Sequence, residues 1–319
     1  MKGLHAYALR RIAMIFPLLL GVSIILFALI SLMPGDAVDL MVSPDLGAEQ
    51  AELRRIRLGL DQPIHVRYVL WMGELLTGNL GYSTTTRLPV VESIVDRIGP
   101  TLLLMGLALV ISVVGGVLLG TLSALKQRTT TDHVATLGAF AGVCIPNFFL
   151  ALCGIYIFSV ILGWLPSSGM RTPGIPFSLV DRLTRLVMPV AVLSLESIAI
   201  FTRYMRSSML EVIHADYVRT ARAKGLAERS VVYKHALRNA LLPIVTVLGL
   251  RLRWLFGGSV IVEKVFSWPG IGRLMVDSVF TRDTGVVMGI VMISALLVML
   301  GNLLADMAYA VVDPRIRYG

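Results

Sequence analysis

Charged residues are scarce in this 319-residue chain, where Asp, Glu, Lys and Arg make up only 15%, against about 25% in a typical soluble domain. Hydrophobic residues supply 56%, so water alone cannot be its solvent. Cysteine is nearly absent: Cys144 and Cys153 lie in one apolar run, form no framework of bridges or thiolate ligands, and read as packing residues. The five histidines are scattered at positions 5, 65, 133, 214 and 235, with no His-Glu-x-x-His pair, and no serine sits in a Gly-x-Ser-x-Gly turn. These absences leave a membrane protease without its chemistry. No Gly-Lys dipeptide occurs, which excludes a P-loop. No internal repeat is visible, as a self-sufficient secondary carrier or channel built from inverted repeats would show. The net charge of +9 is not gathered with aromatics on a soluble module, which argues against nucleic-acid binding.

What is present is a series of long apolar runs. A helix needs about 20 apolar residues to cross a hydrocarbon core of about 30 Å, and six stretches approach or exceed that length: 12–33, 101–125, 134–162, 187–202, 241–262 and 286–310. The expected fold class is an all-α integral membrane protein with six transmembrane helices. The fourth stretch is the shortest and carries Pro189 and Glu196. The first follows Arg10 and Arg11 but is longer than a signal-peptide core and lacks a small-residue cleavage pattern, so it reads as a retained anchor. With the N-terminus inside, the inner segments hold 15 basic and 5 acidic residues and the outer loops 12 and 13. That asymmetry places both termini in the cytoplasm.

The chain divides into residues 1–33, an outer region at 34–100, and a core at 101–319 that includes a long inner loop at 203–240. In the outer region, Glu49 to Leu58 and His65 to Leu76 read as helical stretches around a breaker at Gly59 to Pro63. Trp71, Leu75, Leu76, Leu80 and Tyr82 suit packing on the membrane surface or a small cap, the alternative being a folded spacer. In the inner loop, Leu210, Ile213, Tyr217 and Ala221 recur at helical spacing, with Arg219, Arg222 and Lys224 on the remaining surface. Gly225 stops that helix, and a second begins near Ala227 to Ser230 and runs to Pro243. This bracket either lies on anionic membrane lipid or inserts into a partner, and the Gly-marked bend favours the partner.

Charges inside the predicted spans are costly and need a partner or water. Arg251 lies about 15 Å into the fifth span at 1.5 Å per residue and shares a face with Trp254, Leu255 and Gly258. That face is expected to border a pathway. Arg253 points roughly 200° away, between Gly249 and Gly257, and reads as close packing with an ion pair. The alternative for either arginine is a structural pair with Glu196. Asp306, near the inner end of the last span, is expected to reach water or a neighbouring helix. Pro146 and Pro189 are expected to kink their helices.

Asp216-Tyr217-Val218-Arg219-Thr220-Ala221-Arg222-Ala223-Lys224-Gly225-Leu226, with His235-Ala236-Leu237-Arg238-Asn239-Ala240-Leu241-Leu242-Pro243, closely resembles the coupling loop of the dipeptide/oligopeptide/nickel permeases of ABC importers. Further similar segments are Leu9-Arg10-Arg11, Pro34-Gly35-Asp36, Leu58-Gly59-Leu60-Asp61-Gln62-Pro63, Phe266-Ser267-Trp268-Pro269-Gly270-Ile271-Gly272 and Asp313-Pro314-Arg315-Ile316-Arg317. The large outer region resembles the first of the two permeases in such systems. Where ABC importers in general carry Glu-Ala-Ala, six residues ahead of the glycine, this chain has Arg219-Thr220-Ala221, as in the peptide branch. The resemblance implies a type I importer permease fold in the bacterial cytoplasmic membrane and a second homologous permease as heterodimer partner. It further implies two ATPase subunits that bind ATP and magnesium, and an extracytoplasmic substrate-binding protein. It also implies that Tyr217, Arg219, Thr220, Ala221, Arg222, Ala223, Lys224, Gly225 and Leu226 couple to an ATPase, with no catalytic residue, metal or cofactor in this chain. Dipeptides, longer peptides, glutathione-like molecules, nickel chelates and opines all remain open as cargo.

Overall fold

A computed structural model describes residues 2–32, 56, 61–252 and 254–312. The stretches Pro34-Gly35-Asp36, Glu49 to Leu58 for all but residue 56, Leu58-Gly59-Leu60 and Asp313 to Arg317, together with Arg253, lie outside the described residues. The described backbone is helical, with a single isolated bridge between Tyr82 and Pro89 in place of any sheet.

Helix α1 (Lys2–Ser31) exposes Phe16, Leu18, Ile25 and Leu29 and buries only a narrow strip around Leu26 and Phe27. A face so apolar and so unburied fits lipid. Helix α2 (Ile64–Leu76) starts after Pro63 and folds back on α1: Tyr68 meets Phe27 edge to face at 5.5 Å and Trp71 lies tilted against it at 5.6 Å between centroids, and Ser23 and Tyr68 hydroxyls are 2.8 Å apart. The expected outer amphipathic helix therefore forms. Trp71 and Leu75 pack inward, while Leu76 and Tyr82 stay exposed.

Helix α3 (Val90–Leu125) makes its most extensive pairing with α6 (Leu179–Val212). The pairing is close because Gly116 and Gly120 have no side chain: a Cβ on Gly116 would lie 2.3 Å from the Phe201 Cβ, and one on Gly120 would lie 2.6 Å from the Met205 Cβ. Small residues four apart are the usual means of bringing helix backbones together in lipid. Between these helices the chain runs through α4 (Thr130–Cys144) and α5 (Asn147–Gly154), the latter continuing as a π-helical stretch, Ile155–Ile161. The two are bent by 102°. Pro146 lacks an N–H and pushes Ile145 into an extended conformation (φ −90°, ψ 123°), which ends α4. The expected kink at Pro146 is thus a full break, whereas Pro189 sits inside α6 without interrupting it.

After α6 come α7 (Asp216–Ala223) and α8 (Glu228–Ser230), a π-helical stretch (Val231–Ala236) and α9 (Leu237–Ala240). Then follow α10 (Leu242–Leu252), α11 (Trp254–Gly257), α12 (Val260–Val265), α13 (Ile271–Phe280) and α14 (Thr284–Val312). Four described helices, α1, α3, α6 and α14, are long and apolar enough to cross a bilayer, or five if the bent α4–α5 pair is one span. The expected fifth span is not one helix to residue 262. Its first segment has 11 residues, and the chain turns at Gly258 with φ of +65°. The expected fourth span is the middle of a 34-residue rod that extends past the apolar run at both ends.

Two charged contacts tie the bundle together. Asp306 of α14 meets Arg11 of α1 at 3.2 Å, which supplies the neighbouring-helix partner expected for it. Asp132, in the first turn of α4 and ahead of its apolar run, is buried and receives Arg206 of α6 in two bonds, Nε to Oδ1 at 2.8 Å and Nη2 to Oδ2 at 2.9 Å. It also accepts from the Ser123 hydroxyl and, at 3.0 Å, from the Arg128 amide. These donors, Arg206 foremost, hold its carboxyl well below the usual carboxylate range.

Gly116→Val is expected to destabilise the protein by about 1–3 kcal/mol, the cost of overpacking a close contact. Gly106→Val on the same helix, where an added Cβ meets nothing within 4 Å, is expected to leave the melting temperature nearly unchanged. Equal losses in the two variants, measured by thermal unfolding in detergent, would show that the α3–α6 approach is not the limiting contact. Because the folded protein depresses the Asp132 carboxyl below its ordinary value of about 4, its stabilisation is present above that pH and fades as the pH falls below it. The loss of melting temperature between about pH 5 and about pH 3 should be smaller in Asp132→Asn than in the wild type, and an identical slope would remove Asp132 from that role.

Candidate functional site: the helical bracket and the intramembrane cavity

The bracket is built on the end of α6. The chain leaves the helix at Val212 and turns through His214, whose Nδ1 lies 2.8 Å from the Leu210 carbonyl. It then re-enters helix at Asp216. The expected single helix carrying Leu210, Ile213, Tyr217 and Ala221 on one face is therefore two helices. The turn resets the register, so that Val218 and Ala221 point inward while Tyr217 is 43% exposed. Val218 and Ala221 join Met205 and Met209 of α6 and Val231, Val232 and Ala236 of the returning arm in one core. A residue as short as alanine at 221 lets α7 lie close against that core.

Gly225 makes the bend, with φ of +75°, a left-handed conformation that L-residues other than glycine adopt only at a cost. Across it, Arg222 binds Glu228 in a fork, Nη2 to Oε1 at 2.8 Å and Nε to Oε2 at 3.2 Å. That pair lowers the Glu228 carboxyl and raises the guanidinium. Arg222 is thus engaged within the bracket. Arg219 reaches Asp216 at 3.6 Å with both side chains largely exposed, an ion pair of little weight. Tyr217, Arg219, Thr220, Arg222, Ala223, Lys224, Gly225 and Leu226 form the exposed surface, and Ala221 alone of the expected set is buried. The result is a small helical knob that exposes two cations, a phenol and a leucine and is stiffened by a fork across its bend.

About halfway along the bundle, Arg251, Trp254, Leu255 and Gly258 line one cavity of about 130 Å³ with Glu196, Asn147 and Ser112. The sequence-derived face is therefore real, and Glu196 borders the same space. The guanidinium of Arg251 lies 5.5 Å from the centroid of the Trp254 ring, and Glu196 accepts from the Asn147 amide at 3.4 Å. No direct Arg251–Glu196 ion pair forms among the described residues. Each charge is held by a softer contact, and both remain turned to the cavity.

The structure also uses residues that sequence reasoning passed over. Glu263, counted only as an outer-loop charge, is fully buried. It accepts from the Thr101 hydroxyl at 3.0 Å and the Arg273 amide at 3.1 Å. A Cβ on Gly270 would fall 2.3 Å from its Oε2. The Phe266 to Gly272 motif is thereby explained: its glycines make room for a buried carboxylate, and Trp268 is buried with its Nε1 donating to the Pro100 carbonyl at 2.9 Å. Asp132 and Arg206 were missed as well. The available signal was an acidic residue inside a basic inner loop.

The sequence model of the family described as the binding-protein-dependent transport system inner membrane component matches residues 116–318, and the model of its N-terminal part matches residues 4–105. The chain is 44% identical over 314 residues to the oligopeptide transport system permease protein AppB of Bacillus subtilis, covering 98% of this chain and 99% of that protein. It is 40% identical over 312 residues to the glutathione transport system permease protein GsiC of Salmonella choleraesuis, with 98% and 99% covered. Among solved structures, a chain of the inward-facing MetNI methionine ABC transporter superposes with a TM-score of 0.53 at 19% identity, over 70% of this chain and 97% of that one. With the all-helical bundle, the bracket and the family motifs in agreement, the chain belongs to the binding-protein-dependent transport system inner membrane components and is a multi-pass permease subunit of an ABC importer of the peptide family.

Proposed function

We propose that this chain pairs with a second, homologous permease to line the pathway of an importer for peptides or related small solutes. Both of its termini and the bracket lie in the cytoplasm, and the opposite end receives solute from an extracytoplasmic binding protein. The observation that carries this reading is the bracket itself. Its inner face is welded to α6 through Val218, Ala221, Met205 and Met209, while its outer face presents Tyr217, Arg219, Thr220, Ala223, Lys224 and Leu226. ATP and magnesium belong to two partner ATPases, one of which seats this knob. The charge asymmetry between inner and outer segments supports the orientation, and the oligopeptide and glutathione systems of the relatives support the solute class.

In this reading a push on the bracket is a push on α6. Nucleotide-driven closure of the ATPases tilts α6 with α3, its close partner, and changes the width of the cavity at Arg251 and Glu196. A small solute with a carboxylate and an amine would find both charges there. The arginine side chain costs least when water or a solute fills that cavity.

Gly225→Val places a β-branched residue at a left-handed backbone position, a strain of about 1–2 kcal/mol, and deforms the knob without touching the bundle. In the importer assembled with its ATPases, solute-stimulated ATP hydrolysis is expected to fall about tenfold. Arg219→Glu with Lys224→Glu is expected to reduce recovery of ATPase on the purified permease. Full stimulation in the first variant together with full recovery in the second would overturn the coupling role and leave the bracket as a lipid-facing element. Arg251→Gln is expected to slow uptake at unchanged assembly, and uptake equal to wild type would remove Arg251 from the pathway.

A further inference from the structure

A cavity larger than the one at Arg251 lies away from both Arg251 and the bracket. It lies at the far end of the bundle, has a volume of about 1050 Å³, and is bordered by the start of α3, the segment 170–175, the start of α6 and the Ser267–Pro269 turn. Three arginines line it, Arg97, Arg171 and Arg182, against one acidic residue, Asp96. None of the three guanidiniums has an ion pair or hydrogen bond among the described residues. Arg182 is the most telling. Its Nε is buried and has no acceptor, and its guanidinium lies 4.8 Å from the centroid of the Phe177 ring. Stacking on a ring holds the plane of a guanidinium without consuming its in-plane donors.

One turn along the same helix, Arg185 shows what a structural arginine looks like here. It binds Asp181 through Nε at 3.0 Å, donates from Nη2 to the Thr172 hydroxyl at 2.8 Å, and donates from Nη1 to the Ser168 carbonyl. Asp181 in turn accepts from the Thr172 amide and hydroxyl, both at 2.8 Å, and the Gly169 amide binds the Phe266 carbonyl at 2.8 Å. The segment carrying Arg171 is thus fixed on both sides, while Arg171 and Arg182 are left unspent on the cavity wall. A buried donor without a partner is costly, and a planar fork of donors matches a carboxylate.

We propose that Arg182, with Arg97 and Arg171, forms an anion-recognition vestibule that takes the carboxylate of the incoming solute before it reaches the Arg251 cavity. The inference rests on the importer reading above and names a recognition site within it. The cavity is large enough for a short peptide, and its excess of two positive charges, three arginines against one aspartate, orients a zwitterionic chain with its C-terminus inward.

The test uses the assembled importer in lipid nanodiscs. Phenylglyoxal, which labels accessible guanidiniums, is applied with trialanine or with trialanine amide, and labelling at the three positions is read by mass spectrometry. Trialanine is expected to reduce labelling of Arg182 about tenfold and the amide to leave it unchanged, since only the acid offers a carboxylate to the fork. Equal protection by both, or by neither, overturns the proposal. So does protection that needs only the solute-free binding protein, which would assign the arginines to a protein contact. In uptake measurements Arg182→Gln is expected to lower trialanine transport about tenfold while transport of the amide holds or rises, with Arg182→Lys intermediate. An equal loss for acid and amide also overturns it. If the wild-type importer protects Arg182 with trialanine yet transports no peptide, the vestibule stands and the peptide assignment falls.

Discussion

Where Gly116 and Gly120 of α3 meet Phe201 and Met205 of α6, there is no room for even one methyl on either glycine. Ser112, one turn earlier, donates to the Ala108 carbonyl and lies 3.3 Å from the Ser194 carbonyl, so the small-residue seam continues toward the middle of the bundle. In lipid, apolar side chains gain nothing by leaving hydrocarbon for hydrocarbon, and helix association depends on such close backbone approach. This seam makes α3 and α6 a single stiff unit. Several of the charged groups are mounted on that unit: Arg182 at one end of α6, Glu196 in the middle, and Arg206 with the bracket core at the other.

The arginines of the chain sort by whether the protein uses up their donors. Arg185, Arg206 and Arg222 are consumed by carboxylates and hold, respectively, the far-end segment, the α3–α4–α6 corner and the bend of the bracket. Arg251 and Arg182 are steadied by aromatic rings and keep their donors. A ring is a good cradle where a charge must stay available, because it offsets part of the desolvation without neutralising the group. The two ring-held arginines each line a cavity that borders α6, and the carboxylate-held ones fix neighbouring elements.

Much of this was legible in the sequence, and the limits have physical causes. The bracket, its bend at Gly225, and the shared face of Arg251, Trp254, Leu255 and Gly258 followed from helical spacing and from the freedom of glycine, both local properties. The inward face of α7 was misread because a three-residue turn after Val212 changes register, and hydrophobic spacing alone cannot see such a turn when both sides are helical. The fifth span was drawn through Gly258 because apolar residues lie on both sides of that glycine, although the left-handed backbone there ends the helix. Gly116-Val117-Leu118-Leu119-Gly120 carried the α3–α6 contact in plain view as small residues four apart. Glu263 and the Asp132–Arg206 pair were hidden for another reason. Their meaning lies in partners as many as 162 residues distant in the chain, which no local pattern encodes.

The distribution of irregular backbone completes the mechanical picture. α6 is an uninterrupted rod of 34 residues despite Pro189, whereas the elements around it are repeatedly broken: at Ile145 and Pro146, in the π-helical stretches Ile155–Ile161 and Val231–Ala236, and at Gly258. Breaks and π-turns are where helices bend and where a polar group can enter the bundle. A rod seated among bending elements moves as a body when its end is displaced, while its neighbours absorb the change in shape. The bracket is fastened to the rod by packed Val, Ala and Met side chains across the turn that separates them, so the two form one packed body.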